Sequence, residues 1–181
     1  MKTQLTARAW GVLALAGLMT ATRISPSTAH CNASWAVFLL GGALLGSSRA
    51  FVGLCSVAAA LDVLAFAVGG SPACLSPAYP FLLLAYASLW WAGRWGGVAF
   101  QHGAARVALA TLLGTLACYM ITTGTHYALG SSAHLGASQM AALALPELLG
   151  YLASSFTYVA AGQTLVALLH ARSLRSNDAG I

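Results

Sequence analysis

Residues 33–68 form an apolar run interrupted by only two charges, Arg49 and Asp62, and that run limits what the chain can become. One bilayer crossing takes ~20 apolar residues to traverse ~30 Å of hydrocarbon. The run is too long for a single crossing, and Gly46-Ser47-Ser48-Arg49 divides it into a tight helical hairpin. The rest of the chain is equally poor in charge, with eight basic and three acidic side chains in 181 residues. Charged residues make up 6% and hydrophobic ones 59%, where a soluble domain carries about 25% charged. So few charges cannot build a water-facing surface, so the excess apolar side chains must face lipid. The mean hydropathy of +0.80 agrees. An integral membrane protein of this kind is neither an ordinary soluble enzyme nor a nucleic-acid binder, despite a formal charge of +5. Its basic residues are scattered singly, with no clustered patch. Lys2 is the sole lysine, so there is no Walker A motif and no ATP site.

The spacing of apolar runs predicts an all-α, six-transmembrane-helix bundle in a single domain, 1–181. The expected helices are about 7–22, 33–47, 50–68, 78–95, 104–123 and 146–170, with a polar tail at 172–181. Helices two and four look short for full spans. The first run follows Lys2 and Arg8, as a signal peptide would. No convincing A-x-A cleavage site follows it, so a retained first helix is expected. With the N-terminus inside, Lys2, Arg8, Arg49, Arg94, Arg106, Arg172 and Arg175 are all cytoplasmic and only Arg23 lies outside. That asymmetry places both termini in the cytoplasm. Trp10, Trp90, Trp91 and Trp95 would then form an inner interfacial belt, with Trp35 at the outer face.

The same orientation puts the ligand-capable side chains together. Outer loops at about 23–32, 69–77 and 124–145 hold His30, Cys31, Asn32, Cys74, His126, Tyr127 and His134, with Tyr79 just inside helix four. His30 and His126 are either ordinary interfacial histidines or ligand contacts, whereas His134 sits in a Gly/Ser/Ala-rich loop as a solvated side chain. Asp62 lies two helical turns below the outer end of helix three. An ionised Asp near a helix centre costs about 2.5–3.5 kcal/mol, so it faces a cavity or a partner, or stays neutral and joins two helices. Glu147 follows Pro146, where a carboxylate suits a helix N-terminus. The four cysteines make no CxxC and no zinc spacing. Cys55 and Cys118 read as packing residues within spans. Cys31 and Cys74, in an oxidising outer compartment, form either a disulfide or a reactive thiol. Cys74 sits in a loop stiffened by Pro72 and Pro77, and its thiolate is a soft ligand for a transition metal held in a cofactor.

Taken together, these residues make the chain resemble the small six-helix substrate-binding (S) components of energy-coupling factor (ECF) transporters. The nearest likeness is to the solitary, BtuM-like vitamin B12 (cobalamin) transporters of Gram-negative bacteria. The resemblance covers essentially the whole chain. It rests on the six-span layout, His30-Cys31-Asn32-Ala33-Ser34-Trp35 leading into helix two, Asp62 in helix three, and Cys74 followed by Tyr79. It implies a multi-pass protein of the bacterial inner membrane that binds cobalamin as substrate in an outer cavity. Cys74 would ligate the cobalt in place of the vitamin's benzimidazole. Asp62, Tyr79 and His30 would line the cavity, joined by Asn32, Trp35, Tyr86 and His126. A thiolate on cobalt weakens the opposite ligand, so assisted decyanation of cyanocobalamin is an implied side-activity resting on Cys74.

One departure from the family bears on partners. S components that dock on a shared membrane subunit and its ATPases carry A-x-x-x-A on helix one. Here the alanines fall at 7, 9, 14, 16 and 21, none of them four apart, and only Gly17-x-x-x-Ala21 keeps a small face. The expected partners are therefore cobalamin and lipid, without an ECF ATPase module and without nucleic acid. Three alternatives compete with this reading. An S component for another vitamin or a bare transition-metal ion shares the topology, although a bare ion wants more His and carboxylate donors. A small intramembrane enzyme would need a catalytic pair such as Asp62 with His126. A purely structural bundle fits poorly with the polar bias of the outer loops.

Overall fold

In the computed structural model the described residues are 2–24, 33–67, 79–129 and 136–178, and among them every element is a helix. In chain order they are α1 (Lys2–Ile24), α2 (Ser34–Leu44), α3 (Ser48–Ala67), α4 (Tyr79–Gly96), α5 (Ala99–His102), α6 (Ala104–Leu129) and α7 (Ala137–Asp178). The all-α class is as expected. Three helices are long and apolar enough to cross a membrane: α3, α6, and α7 over Ser138–Arg175. At 11 residues and 1.5 Å per residue, α2 covers only about 16 Å, about half of the ~30 Å of hydrocarbon and shorter than the helix expected over 33–47.

That short helix is the centre of the bundle. Its sequence, SWAVFLLGGAL, has no polar face, and every residue from Ser34 to Gly42 is buried. A helix apolar all round has to be enclosed on all sides, and here α1, α3, α4, α6 and α7 surround it. The tightest approach is to α4. A Cβ on Gly42 would run into the Trp90 carbonyl oxygen, and one on Gly93 into the Leu39 carbonyl oxygen. The two backbones therefore meet directly, as small residues allow in membrane helix pairs. Phe38, Leu54, Leu89 and Met19 fill the space around this contact. On the outside, Leu13, Leu83, Leu84, Leu109, Leu113, Leu149, Leu165 and Leu168 remain exposed, an apolar exterior suited to lipid.

The hairpin predicted at Gly46 is present. Gly46 adopts φ 57°, its N–H and that of Leu45 both bond to the Gly41 carbonyl, and α3 begins at Ser48. Other boundaries differ from expectation. Residues 124–129, read as loop, continue α6 through Gly124, with no proline to stop it, and the hydroxyls of Thr122 and Thr125 bond back to the carbonyls of Cys118 (2.9 Å) and Ile121 (2.7 Å). The last helix starts at Ala137 rather than 146 and carries Pro146 inside it. Glu147 consequently lies within α7 and is not a capping residue at a helix start. Residues 172–178, read as a tail, are still helical. The belt is partly corrected as well. Trp10, Trp91 and Trp95 are exposed, but Trp90 (5%) and Trp35 (7%) are buried.

Candidate functional site

The C-terminal ends of α1 and α3 meet the N-terminal ends of α2 and α4, and a polar network forms where they converge. Arg23, in the last turn of α1, is its hub. Its Nη1 pairs with Asp62 Oδ1 and also donates to the Ala58 carbonyl (3.2 Å). Its Nε donates to Ser34 Oγ at 3.0 Å, and Nη2 to the Tyr86 hydroxyl at 2.9 Å. From the first residue of α4, the Tyr79 hydroxyl donates to Asp62 Oδ2 at 3.2 Å. Four helices are thereby tied at one end by one guanidinium and one carboxylate. The Tyr86 ring is fixed by stacking on Phe38, with centroids 4.1 Å apart. Polar groups fixed in this way can hold a ligand's orientation without rearranging.

Of the residues expected to bind substrate, Asp62, Tyr79 and Tyr86 are brought together here. Asp62 answers the question posed by its sequence position. It joins helices, and does so with Arg23 as counter-ion. Trp35, next to Ser34 and about 100° round α2, packs instead against α6 and α7, stacked on Tyr151 at 4.1 Å and 10° and near Tyr119. His126 lies further round, on α6, in a cavity with Thr122, Tyr127 and Glu147. The Asp62–His126 pair that an intramembrane enzyme would require is not formed. The Asp62 carboxylate is engaged by Arg23 and Tyr79 instead. His30, Cys31, Asn32, Cys74 and His134 lie outside the described residues. Cys55 and Cys118 are free thiols, half-buried and buried respectively, in keeping with packing roles.

Arg23 and Ser34 were missed as site residues, as were Tyr119, Tyr151 and Glu147. The usable signal for Arg23 was charge arithmetic, since an in-span Asp needs a cation and Arg23 alone was expected at the same end of the bundle. Tyr151 carried no such signal, because an aromatic residue on an apolar helix reads as core. Among the described residues no group of three His, Cys, Asp or Glu side chains is placed to hold a metal ion. The chain matches no model of a known protein family and no curated protein sequence.

Proposed function

We propose that this protein is a six-span transporter of the bacterial inner membrane, with both termini cytoplasmic, that takes up cobalamin without a dedicated ATPase. The observation that carries the reading is the polar network of Arg23, Asp62, Tyr79 and Tyr86 at one end of an otherwise apolar bundle. The segment containing Cys74 connects α3, which carries Asp62, to α4, which opens with Tyr79. A ligand bound by Cys74 would therefore be tethered beside this network. The arginines support the orientation. Arg49 opens α3, Arg94 closes α4, Arg106 opens α6, and Arg172 and Arg175 end α7. All five fall at the end opposite the network, as a cytoplasmic face requires.

In this reading Cys74 supplies a thiolate to cobalt, and the network meets the amide arms of the corrin with fixed hydroxyls and charges. The test is spectroscopic. Purified protein incubated with cyanocobalamin is expected to bind it and to show an absorption band that Cys74→Ala and Cys74→Ser lack and Cys31→Ser retains. Binding with an unchanged spectrum in Cys74→Ala would remove the ligand assignment. No binding at all would remove cobalamin.

A further inference from the structure

A concave region lies apart from the Arg23 network, between the C-terminal end of α6 and the first half of α7. It is a cavity of about 360 Å³ lined by Thr122, Thr123, His126, Tyr127, Glu147 and Tyr151, with Leu143 at its edge. Its lining offers a carboxylate, the His126 imidazole, hydroxyl oxygens and aromatic faces, and no Lys or Arg. The ion pair found among the described residues is Arg23–Asp62, so Glu147 has no cationic partner among them. The wall is rigid where Tyr151 stacks on Trp35, and Tyr127 is set edge-on to His126 at 5.9 Å. Glu147 is exposed and meets the Tyr119 side chain, and a carboxylate without a counter-ion in so apolar a helix is a candidate partner for a cation. Aromatic faces beside it add attraction for a cation.

The cavity has an apolar continuation. An adjoining trough of about 530 Å³ shares Leu143, Glu147 and Tyr151 and adds Pro146 and Gly150. Leu143 is 59% exposed, so the trough is open to the exterior of the bundle. A charged, acceptor-rich pocket running into an apolar groove matches a molecule with a cationic N–H donor at one end and an alkyl chain at the other. A metal ion fits poorly, since such sites need three or more donors and no such group exists among the described residues.

We propose that the α6–α7 cavity binds an ammonium-headed amphiphile, with Glu147 as its counter-ion and the Leu143–Pro146–Gly150 trough as the seat of its chain. The ammonium belongs either to a free long-chain amine or to an aminolipid headgroup such as phosphatidylethanolamine. The site is independent of cobalamin and shares with that reading only His126.

The full-length protein in non-ionic detergent is titrated calorimetrically with n-octylammonium and with n-octanol. Octylammonium is expected to bind saturably, at least roughly tenfold more tightly than octanol and than it binds to Glu147→Gln, as loss of a charge-assisted contact dictates. Native mass spectrometry from nanodiscs then separates the two sources. Retention of phosphatidylethanolamine over phosphatidylcholine by the wild type, lost in Glu147→Gln, assigns a lipid. Octylammonium binding without that retention assigns a free amine. Equal affinity of wild type and Glu147→Gln for octylammonium, or no preference over octanol, overturns the site. Should Glu147→Gln not fold, Tyr127→Leu takes its place. A loss of roughly threefold or more supports the aromatic contact, and unchanged affinity overturns it.

Discussion

Arg23 and Asp62 meet with side-chain exposures of 14% and 17%, far enough from water that neither charge is fully solvated. Removing one member of such a pair strands the other and costs about 3–5 kcal/mol, while replacing both with apolar residues can be neutral. Arg23→Met and Asp62→Leu are each expected to lower the melting temperature in detergent, and the double variant to recover most of the loss. Additive losses would show that the two residues do not act as a pair. The hydroxyls of Thr115 and Ser155 are buried without a hydrogen-bond partner, so they already bear their desolvation cost. Thr115→Val keeps the shape and removes the orphan, and is expected to leave stability unchanged or raise it by about 1 kcal/mol. Half of the site could be read from the sequence. Asp62 stands out because an in-span carboxylate is expensive, and Tyr79 follows the segment that carries Cys74. Its counter-ion could not be read in the same way, because Arg23 and Asp62 are separated by 39 positions and meet only when α1 packs on α3.

The order of the long helices was legible because apolar runs between charges dictate it, but their ends were not. Pro146 signals a helix start, since proline suits the first turn. In α7 the same residue sits inside a continuous helix, a placement tolerated where neighbouring helices and apolar surroundings discourage any other backbone conformation. The turn α5 left no periodic signal at four residues. Glycine placement within the helices is where the sequence understated its own information. Gly17 has open space around its missing Cβ, whereas Gly42 and Gly93 sit against carbonyl oxygens of the facing helix. Gly17→Ala is therefore expected to be neutral or slightly stabilising, by up to about 1 kcal/mol. Gly42→Ala and Gly93→Ala must separate α2 from α4 and are expected to cost about 1–3 kcal/mol each, measured as loss of folded protein on heating in detergent. Equal behaviour of all three variants would contradict the close approach.

At the scale of the whole molecule, the two ends of the bundle differ in kind, one holding the Arg23–Asp62 network and the other the remaining arginines of the helix termini. Reporter fusions at the C-terminus and after Arg94 are expected to read cytoplasmic, and one at Ser131 to read extracytoplasmic. A cytoplasmic Ser131 would invert the orientation and put the network on the wrong side to receive anything from outside. The backbone contact between α2 and α4 has a consequence for how such a bundle can move. Where Gly42 and Gly93 bring α2 and α4 main chain to main chain, sliding one helix past the other would drive backbone into backbone. Packing of α1 against its neighbours, by contrast, runs through Leu15 and Met19, and its end is held by the reach of the Arg23 side chain. Parting α1 from the bundle at this end would require the Arg23 guanidinium to let go of Asp62, Ser34 and Tyr86, whereas parting α2 from α4 would undo a main-chain contact.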